Sequence, residues 1–298
     1  MRTLLRISAA LVIVLALSLG AFALASKQKL SRQFAIQDSA PTIPADSASI
    51  ARGRYLVRAV AKCVDCHGEN MAGKLFIDAG PLGKVWSANL SGGHGSVRDS
   101  LTPEQWSTAV RHGVGRPGRP LMVMPATSFN AMSDEDLGAI VAYLRTVPPV
   151  DFVPERSFLR PLGWVLYTTG KLPTLTEADL ISHTERRAPA PPPSVTVEYG
   201  RYLATIGGCN GCHGPTFSGG PIPGMPPDAK PAANLTPAGI GHYTEADFFR
   251  ALREGKRPSG TAIDSLMPWR YTREMTDDDI RAVYAFLKTL PPRDFGNR

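Results

Sequence analysis

The sequence predicts an all-α protein made of two tandem copies of one helical domain, preceded by an apolar N-terminal helix. Three observations lead there. A Cys-x-x-Cys-His pentad occurs twice, as Cys63-Val64-Asp65-Cys66-His67 and as Cys209-Asn210-Gly211-Cys212-His213. A set of landmarks recurs in the same order around each pentad. An apolar run opens the chain from Ile7 to Ala25.

The pentad spacing has a chemical reading. Two thiols three positions apart sit about one helical turn apart, close enough to add to the two vinyl groups of one porphyrin. The adjacent histidine then lies under the iron and can donate an imidazole nitrogen as proximal ligand. A zinc site would instead recruit a second pair of ligands at finger-like spacing. Here each pentad is complete in itself and they stand far apart, so the expectation is two covalently attached haem c groups. Cys63, Cys66, His67, Cys209, Cys212 and His213 hold them. The two pentads use all four cysteines, leaving no thiol for a disulfide or a nucleophile.

The repeat spans 47–150 and 194–293, which are read as domains one and two. Gly53-Arg54-Tyr55-Leu56 answers to Gly200-Arg201-Tyr202-Leu203, and Asn89-Leu90-Ser91 to Asn234-Leu235-Thr236. Arg111-His112-Gly113 answers to Arg253-Glu254-Gly255, Met124-Pro125 to Met267-Pro268, and each half closes on Pro-Pro. Within the first half, Ile50, Gly53, Val57 and Val60 fall on one helical face before the pentad. Thr102 is an N-cap, with Pro103 at the first helical position and Gln105 completing a capping box. Ser133 caps a last helix that buries Leu137, Ile140, Val141 and Leu144, and Pro148 stops it. In the second half Thr276 caps, and Ile280, Val283, Tyr284 and Leu287 line the buried face. A glycine inside a helix costs about 1 kcal/mol against alanine. The matched Gly53 and Gly200 therefore imply close helix crossings, expected against Tyr143 and against Tyr284 or Phe286.

Residues 1–32 form the N-terminal segment. Arg2 and Arg6 precede the apolar run, which approaches the ~20 residues needed to cross a bilayer. It is read as an uncleaved membrane anchor; the alternative is a secretory signal cleaved near Ala23-Leu24-Ala25. Haem c is attached outside the cytoplasm, so the bulk of the chain is expected on the periplasmic side of the cytoplasmic membrane, or soluble in the periplasm if the segment is cleaved. The net charge of +7 comes without a clustered basic stripe or nucleic-acid motif, which excludes a polynucleotide partner. Residues 151–193 form an interdomain linker. Its apolar stretch Phe158–Tyr167 is expected to pack along the domain interface, and Ala188–Pro193 reads as a stiff extended spacer.

A second axial ligand must come from elsewhere in each half. Met124 and Met267 stand at comparable distances after the pentad histidines, each followed by proline. A thioether opposite histidine stabilises ferrous iron. The metal set is therefore His67 with Met124 and His213 with Met267. Met122 is a nearby alternative to Met124, and Met132 and Met275 read as packing. His94, His112, His183 and His242 read as surface residues. Arg111 and Arg253 are candidates to reach a haem propionate, the alternative being a solvated helix face, and Asn89 and Asn234 are candidates to orient a propionate or a haem-side loop.

On these pentads and Met-Pro pairs the chain resembles a tandem class I cytochrome c. The run Asn234-Leu235-Thr236-Pro237 through Gly239-Ile240-Gly241, then Ala251-Leu252-Arg253-Glu254-Gly255, is similar to the cytochrome c subunits of membrane-bound alcohol and gluconate dehydrogenases. Those subunits usually carry three haems; this chain has two pentads. The resemblance implies two class I cytochrome c domains, each wrapped around its haem. It also implies single-electron transfer, without catalysis, between a periplasmic dehydrogenase or quinol-oxidising partner and a terminal acceptor. Partners would be redox proteins: a dehydrogenase subunit, an oxidase or another cytochrome. The alternative is a dihaem redox enzyme of the peroxidase or thiosulfate-oxidising type, which needs an exchangeable iron site.

Overall fold

The structure is a computed structural model that describes every residue except 185–187, 227 and 298; the first three belong to the linker and Pro227 to the second repeat. Helix α1 runs Arg2–Leu30. The first repeat follows with α2 (Ser47–Tyr55), α3 (Cys63–His67), α4 (Pro103–His112), α5 (Ala126–Phe129) and α6 (Asp134–Thr146). Helix α7 (Pro161–Thr168) lies in the connecting stretch. The second repeat has α8 (Val197–Ile206), α9 (Cys209–His213), α10 (Pro237–Ile240), α11 (Glu245–Glu254), α12 (Trp269–Thr272) and α13 (Asp277–Lys288). Helices dominate, as expected, with small β elements that the helical periodicity did not reveal. Strands β1 (Leu75–Asp78) and β2 (Gly83–Trp86) form a hairpin, a two-residue ladder joins β3 (Val114–Gly115) to β4 (Arg119–Pro120), and β5 (Phe158–Leu159) pairs with β2.

Caps explain where the helices start. The Thr102 hydroxyl accepts from the Gln105 N–H and the Gln105 side chain returns the bond, closing the expected box; Thr244 and Asp247 do the same for α11. Ser133 and Thr276 cap α6 and α13, whose first turns carry three acidic residues each at the positive end of the helix dipole.

In each repeat the first helix crosses the last, α2 on α6 and α8 on α13. The two glycines permit the crossing, but against different atoms from those expected. A Cβ at Gly53 would lie 1.9 Å from the Ala139 carbonyl oxygen, and one at Gly200 would lie 1.9 Å from that of Ala282. The nearest atoms belong to neither Tyr143 nor Tyr284, whereas Phe286 does come within 3.0 Å of the Gly200 position. The glycine carves room for backbone, so the partner is a main-chain carbonyl at a small residue, not a ring.

Residues Leu56–Val60 continue α2 as one π-helical turn, whereas α8 runs through as regular α-helix. The stretch from Tyr55 to Cys63 is one residue longer than that from Tyr202 to Cys209. A π turn absorbs one extra residue, so both tyrosines and both pentads keep the same relation.

The two repeats share one hydrophobic cluster and meet through reciprocal bonds. The Tyr55 hydroxyl donates to Asp279 (2.6 Å) and accepts from the Thr276 N–H (3.1 Å). The equivalent Tyr202 hydroxyl donates to Asp136 (2.7 Å) and accepts from the Ser133 N–H (3.2 Å). Each repeat thus seats its tyrosine on the N-terminus of the other's last helix. Arg52 completes the Asp136 site with bonds of 2.9 and 3.0 Å to its two oxygens.

The connecting stretch behaves differently from expectation. Strand β5 joins the first repeat's sheet, α7 packs on α1, and the Leu175 carbonyl accepts from the Val123 N–H (2.8 Å). Phe158–Tyr167 therefore serves the first repeat and α1, not the interface between repeats. Residues Ala188–Pro193 carry no helix or strand, consistent with a spacer.

Candidate functional site

The two pentads fold identically. Each forms a five-residue helix entered through a left-handed residue, Lys62 (φ 54°) or Gly208 (φ 68°), and left through Gly68 or Gly214, both at φ 81°. Glycine costs nothing at such a φ, whereas Lys62 does so against its own Cβ. Both thiols of each pentad lie partly buried, with no disulfide between them. Burial pushes the Cys63 thiol up to about 11 and that of Cys66 up to about 12, so both are neutral.

The histidines are oriented by backbone carbonyls. His67 Nδ1 lies 2.8 Å from the Ala88 oxygen, and His213 Nδ1 lies 2.7 Å from that of Ala233. A carbonyl can only accept, so Nδ1 carries the proton and Nε2 presents the lone pair. Burial lowers the His67 pKa, which keeps the ring neutral and able to donate that pair to a metal.

Each of these alanines precedes a matched asparagine, and there the asparagines act. The Asn89 amide donates to the Val150 (2.9 Å) and Phe152 (3.0 Å) carbonyls while its oxygen accepts from the Ser91 N–H and hydroxyl. Asn234 donates to Arg293 (2.7 Å) and accepts from Thr236 in the same way. Both side chains pin the loop that aims a carbonyl at a histidine. This is the loop role considered from sequence, and these contacts commit them to it.

Met124 and Met267 sit in matched turns and pack against the shared core. The Met124 carbonyl accepts from the Ala126 N–H and the Met267 carbonyl from the Trp269 N–H, each at 2.8 Å. The intervening prolines have φ/ψ of −78°/63° and −79°/45°, close to an inverse γ-turn. Proline pre-sets that φ, which explains the Met-Pro pairing: the turn holds the methionine at the rim of the core just before a short helix. Met132 and Met275 are buried core residues, in keeping with their reading as packing. The donors at hand could hold one iron per repeat between a histidine nitrogen and a methionine sulfur.

Other sequence candidates are placed elsewhere. Arg111 is buried and pairs with Asp134 (2.7 Å), and Arg253 donates to the Arg273 (2.6 Å) and Met275 (2.9 Å) carbonyls. Both therefore staple helices. His94 and His242 are exposed, as expected. His112 is not a surface residue. It is 1% exposed, its Nε2 lies 2.9 Å from Asp38, and its Nδ1 lies 2.8 Å from His183 Nδ1. The sequence hid this contact because His183 comes from the segment read as a linker and Asp38 from 33–46, which carried no reading.

Sequence reasoning also missed the residues joining the two sites. The half-buried Lys62 side chain lies between the pentads and donates at 2.6 Å both to Val60 of its own repeat and to Gly207 of the other. Arg270 in α12 pairs with Asp65 inside the first pentad (3.0 Å), and Ser128 in α5 bonds Asn210 inside the second (3.3 Å). The helix after each methionine thus touches the pentad of the other repeat. A charged residue between cysteine and cysteine was the available signal.

Comparison with known proteins gives two domain matches. The family model described as "Cytochrome C oxidase, cbb3-type, subunit III" matches residues 48–144, and that described as "Cytochrome c" matches 197–291. The cytochrome c subunit of the quinone alcohol dehydrogenase of Gluconacetobacter polyoxogenes is 31% identical over 282 residues, covering 85% of this chain and 58% of its own length. The gluconate 2-dehydrogenase cytochrome c subunit of Pantoea cypripedii is 29% identical over 279 residues, covering 84% and 61%. The fructose dehydrogenase cytochrome subunit of Gluconobacter japonicus is 29% identical over 274 residues, covering 82% and 53%. The chain spans somewhat over half the length of these relatives.

Proposed function

This chain belongs to the cytochrome c family, as two cytochrome c domains in tandem with one covalently bound haem c each, and from that premise we propose a membrane-anchored dihaem electron-transfer subunit. It takes single electrons from a dehydrogenase or quinol-oxidising partner and hands them to a terminal acceptor. The domains are 47–150 and 194–293, joined by 151–193. Cys63 and Cys66 would bind the first haem and Cys209 and Cys212 the second, with His67 and Met124, then His213 and Met267, to hold the irons.

The observation that carries this reading is the matched pair of donor sets, each with a carbonyl-oriented histidine and a methionine on a proline γ-turn. A buried polar atom adds to the fit: the Trp106 indole N–H, in the first domain's core, has no acceptor among the described residues. A haem propionate could supply one. When bound, haem provides the one-electron Fe(III)/Fe(II) couple. The chain's own groups set its poise. The Ala88 and Ala233 carbonyls make the histidines more basic, which favours ferric iron, and the thioethers favour ferrous iron. With a histidine and a methionine to hold each iron and all four cysteines assigned to the haems, the reading is conduction and not catalysis.

Helix α1 is long and apolar enough to cross a membrane, by length and composition. It is taken as a single-pass anchor with the haem domains on the periplasmic side, where haem c is attached. The relatives are named as cytochrome subunits of dehydrogenases for alcohol, gluconate and fructose. We infer a partner of that kind, a dehydrogenase oxidising a small hydroxylated substrate.

Replacing Met124 or Met267 by alanine tests the ligand assignment. Each variant should lose the weak near-infrared methionine–ferric band of one haem, about half the total, and keep the other. An undiminished band in the Met124 variant would transfer the role to Met122. Purification from membranes in mild detergent should bring the dehydrogenase along, and its substrate should then reduce both haems.

A further inference from the structure

Helix α7 stands apart from the electron-transfer machinery. It reads Pro-Leu-Gly-Trp-Val-Leu-Tyr-Thr, with no charged residue, between Arg160 and Lys171. Gly163 and Tyr167, one turn apart, face the protein. A Cβ at Gly163 would lie 2.1 Å from the Leu82 carbonyl oxygen, and the buried Tyr167 hydroxyl bonds Thr176 (2.7 Å). Helical spacing puts Pro161, Leu162 and Val165 on the opposite side, with Leu166 on the flank. Leu162 is 46% exposed and Phe158, just before the helix, 39%.

The neighbour of α7 fixes its surroundings. It packs on α1, and α1 is covered along one stripe only: Leu19, Phe22, Ala23, Ser26, Lys29 and Leu30. Lys29 lies over the Tyr167 ring at 4.3 Å. The apolar run of α1 ends at Ala25, so the covered stripe begins some six residues inside it. At 1.5 Å per residue, that places the contact up to about 9 Å below the end of the run.

We propose that α7 lies in the periplasmic interface of the phospholipid bilayer, with Leu162 and Phe158 in contact with acyl chains and Arg160 and Lys171 at headgroup level. The inference rests on the anchor reading of α1. A short apolar helix with basic flanks, beside a spanning helix, has the character of an interfacial element, and a tryptophan such as Trp164 suits that depth. The consequence is orientation: α1 and α7 together fix the first haem domain against the membrane, where one helix alone would leave it free to swing.

The test uses spin labels on the full chain in nanodiscs, each read with and without the collision reagents so that the iron's own contribution to relaxation cancels. The native cysteines are held as thioethers, so a single introduced cysteine takes the label. Leu162→Cys and Phe158→Cys report on the surface, Leu11→Cys on the anchor, and Ser259→Cys on a water-exposed loop. The expected result is an oxygen-to-nickel collision ratio several-fold higher at 162 and 158 than at 259, and higher still at 11. A deep label at 11 with water-like labels at 158 and 162 overturns the inference and leaves the anchor standing. Labels at 158 and 162 shielded from both reagents also overturn it, because protein then covers the helix. A water-like label at 11 removes the anchor and the inference together. Two reporter positions keep the test decisive if one variant fails to assemble.

Discussion

At the scale of single residues, what decides each site is how a side chain is held. His67 and His213 are ordinary histidines until the Ala88 and Ala233 carbonyls fix their tautomers, and those carbonyls are placed by Asn89 and Asn234. The pentads and the Met-Pro pairs were legible in the sequence because their chemistry is local. The asparagines were visible as a repeat, but their partners at Val150, Phe152 and Arg293 lie too far along the chain for spacing to reveal. Gly53 and Gly200 show the same limit: the need for a close crossing could be read, while the atom crossed could not. Alanine at Gly200 should cost about 1–3 kcal/mol by overpacking, since its Cβ meets backbone that cannot step aside. Chemical denaturation of Gly200→Ala against the parent measures this; an unchanged midpoint would show that α8 and α13 can separate freely.

At the scale of elements, the segments outside the two repeats do structural work. Residues 34–42 run along the first repeat: the Phe34 N–H donates to Gly118 (2.9 Å), Asp38 bonds Ser107 and His112, and the Thr42 carbonyl fills the space beside Gly138. Arg32 pairs with Asp179, and His183 with His112, so three separate segments meet at one clasp. Burial, and then the neighbouring His112, hold the His183 pKa below its ordinary value of about 6.5. The sign follows from proton binding. Below that ordinary value the unfolded chain takes up a proton that the native ring resists, so the clasp's contribution is full above about pH 6.5 and declines as pH falls toward the lowered native value. Thermal midpoints should therefore drop between pH 7 and 5, and His183→Gln should flatten that slope. A slope equal in both proteins would assign the acid sensitivity elsewhere. None of this was legible, because linker composition says nothing about a polar clasp closed by tertiary contact.

At the scale of the whole molecule, duplication explains both the sequence pattern and the assembly. Equivalent tyrosines, aspartates and caps recur because each repeat uses them on the other: Tyr55 on Asp279, Tyr202 on Asp136. Lys62, Arg270 and Ser128 then tie the two pentad regions together. The tandem architecture could be read from sequence; the reciprocity needed the fold, since identical halves can be joined in many ways. It makes the chain one body with two pentad sites and not two domains on a string. The most direct test of that account is the optical spectrum of the detergent-purified full chain, ferric and then ferrous, with carbon monoxide added to the reduced protein. The account predicts two low-spin six-coordinate haems with a methionine band from each and no rapid carbon monoxide adduct. A high-spin fraction matching one haem, or rapid carbon monoxide binding with peroxide turnover, would contradict it and assign the chain to catalysis.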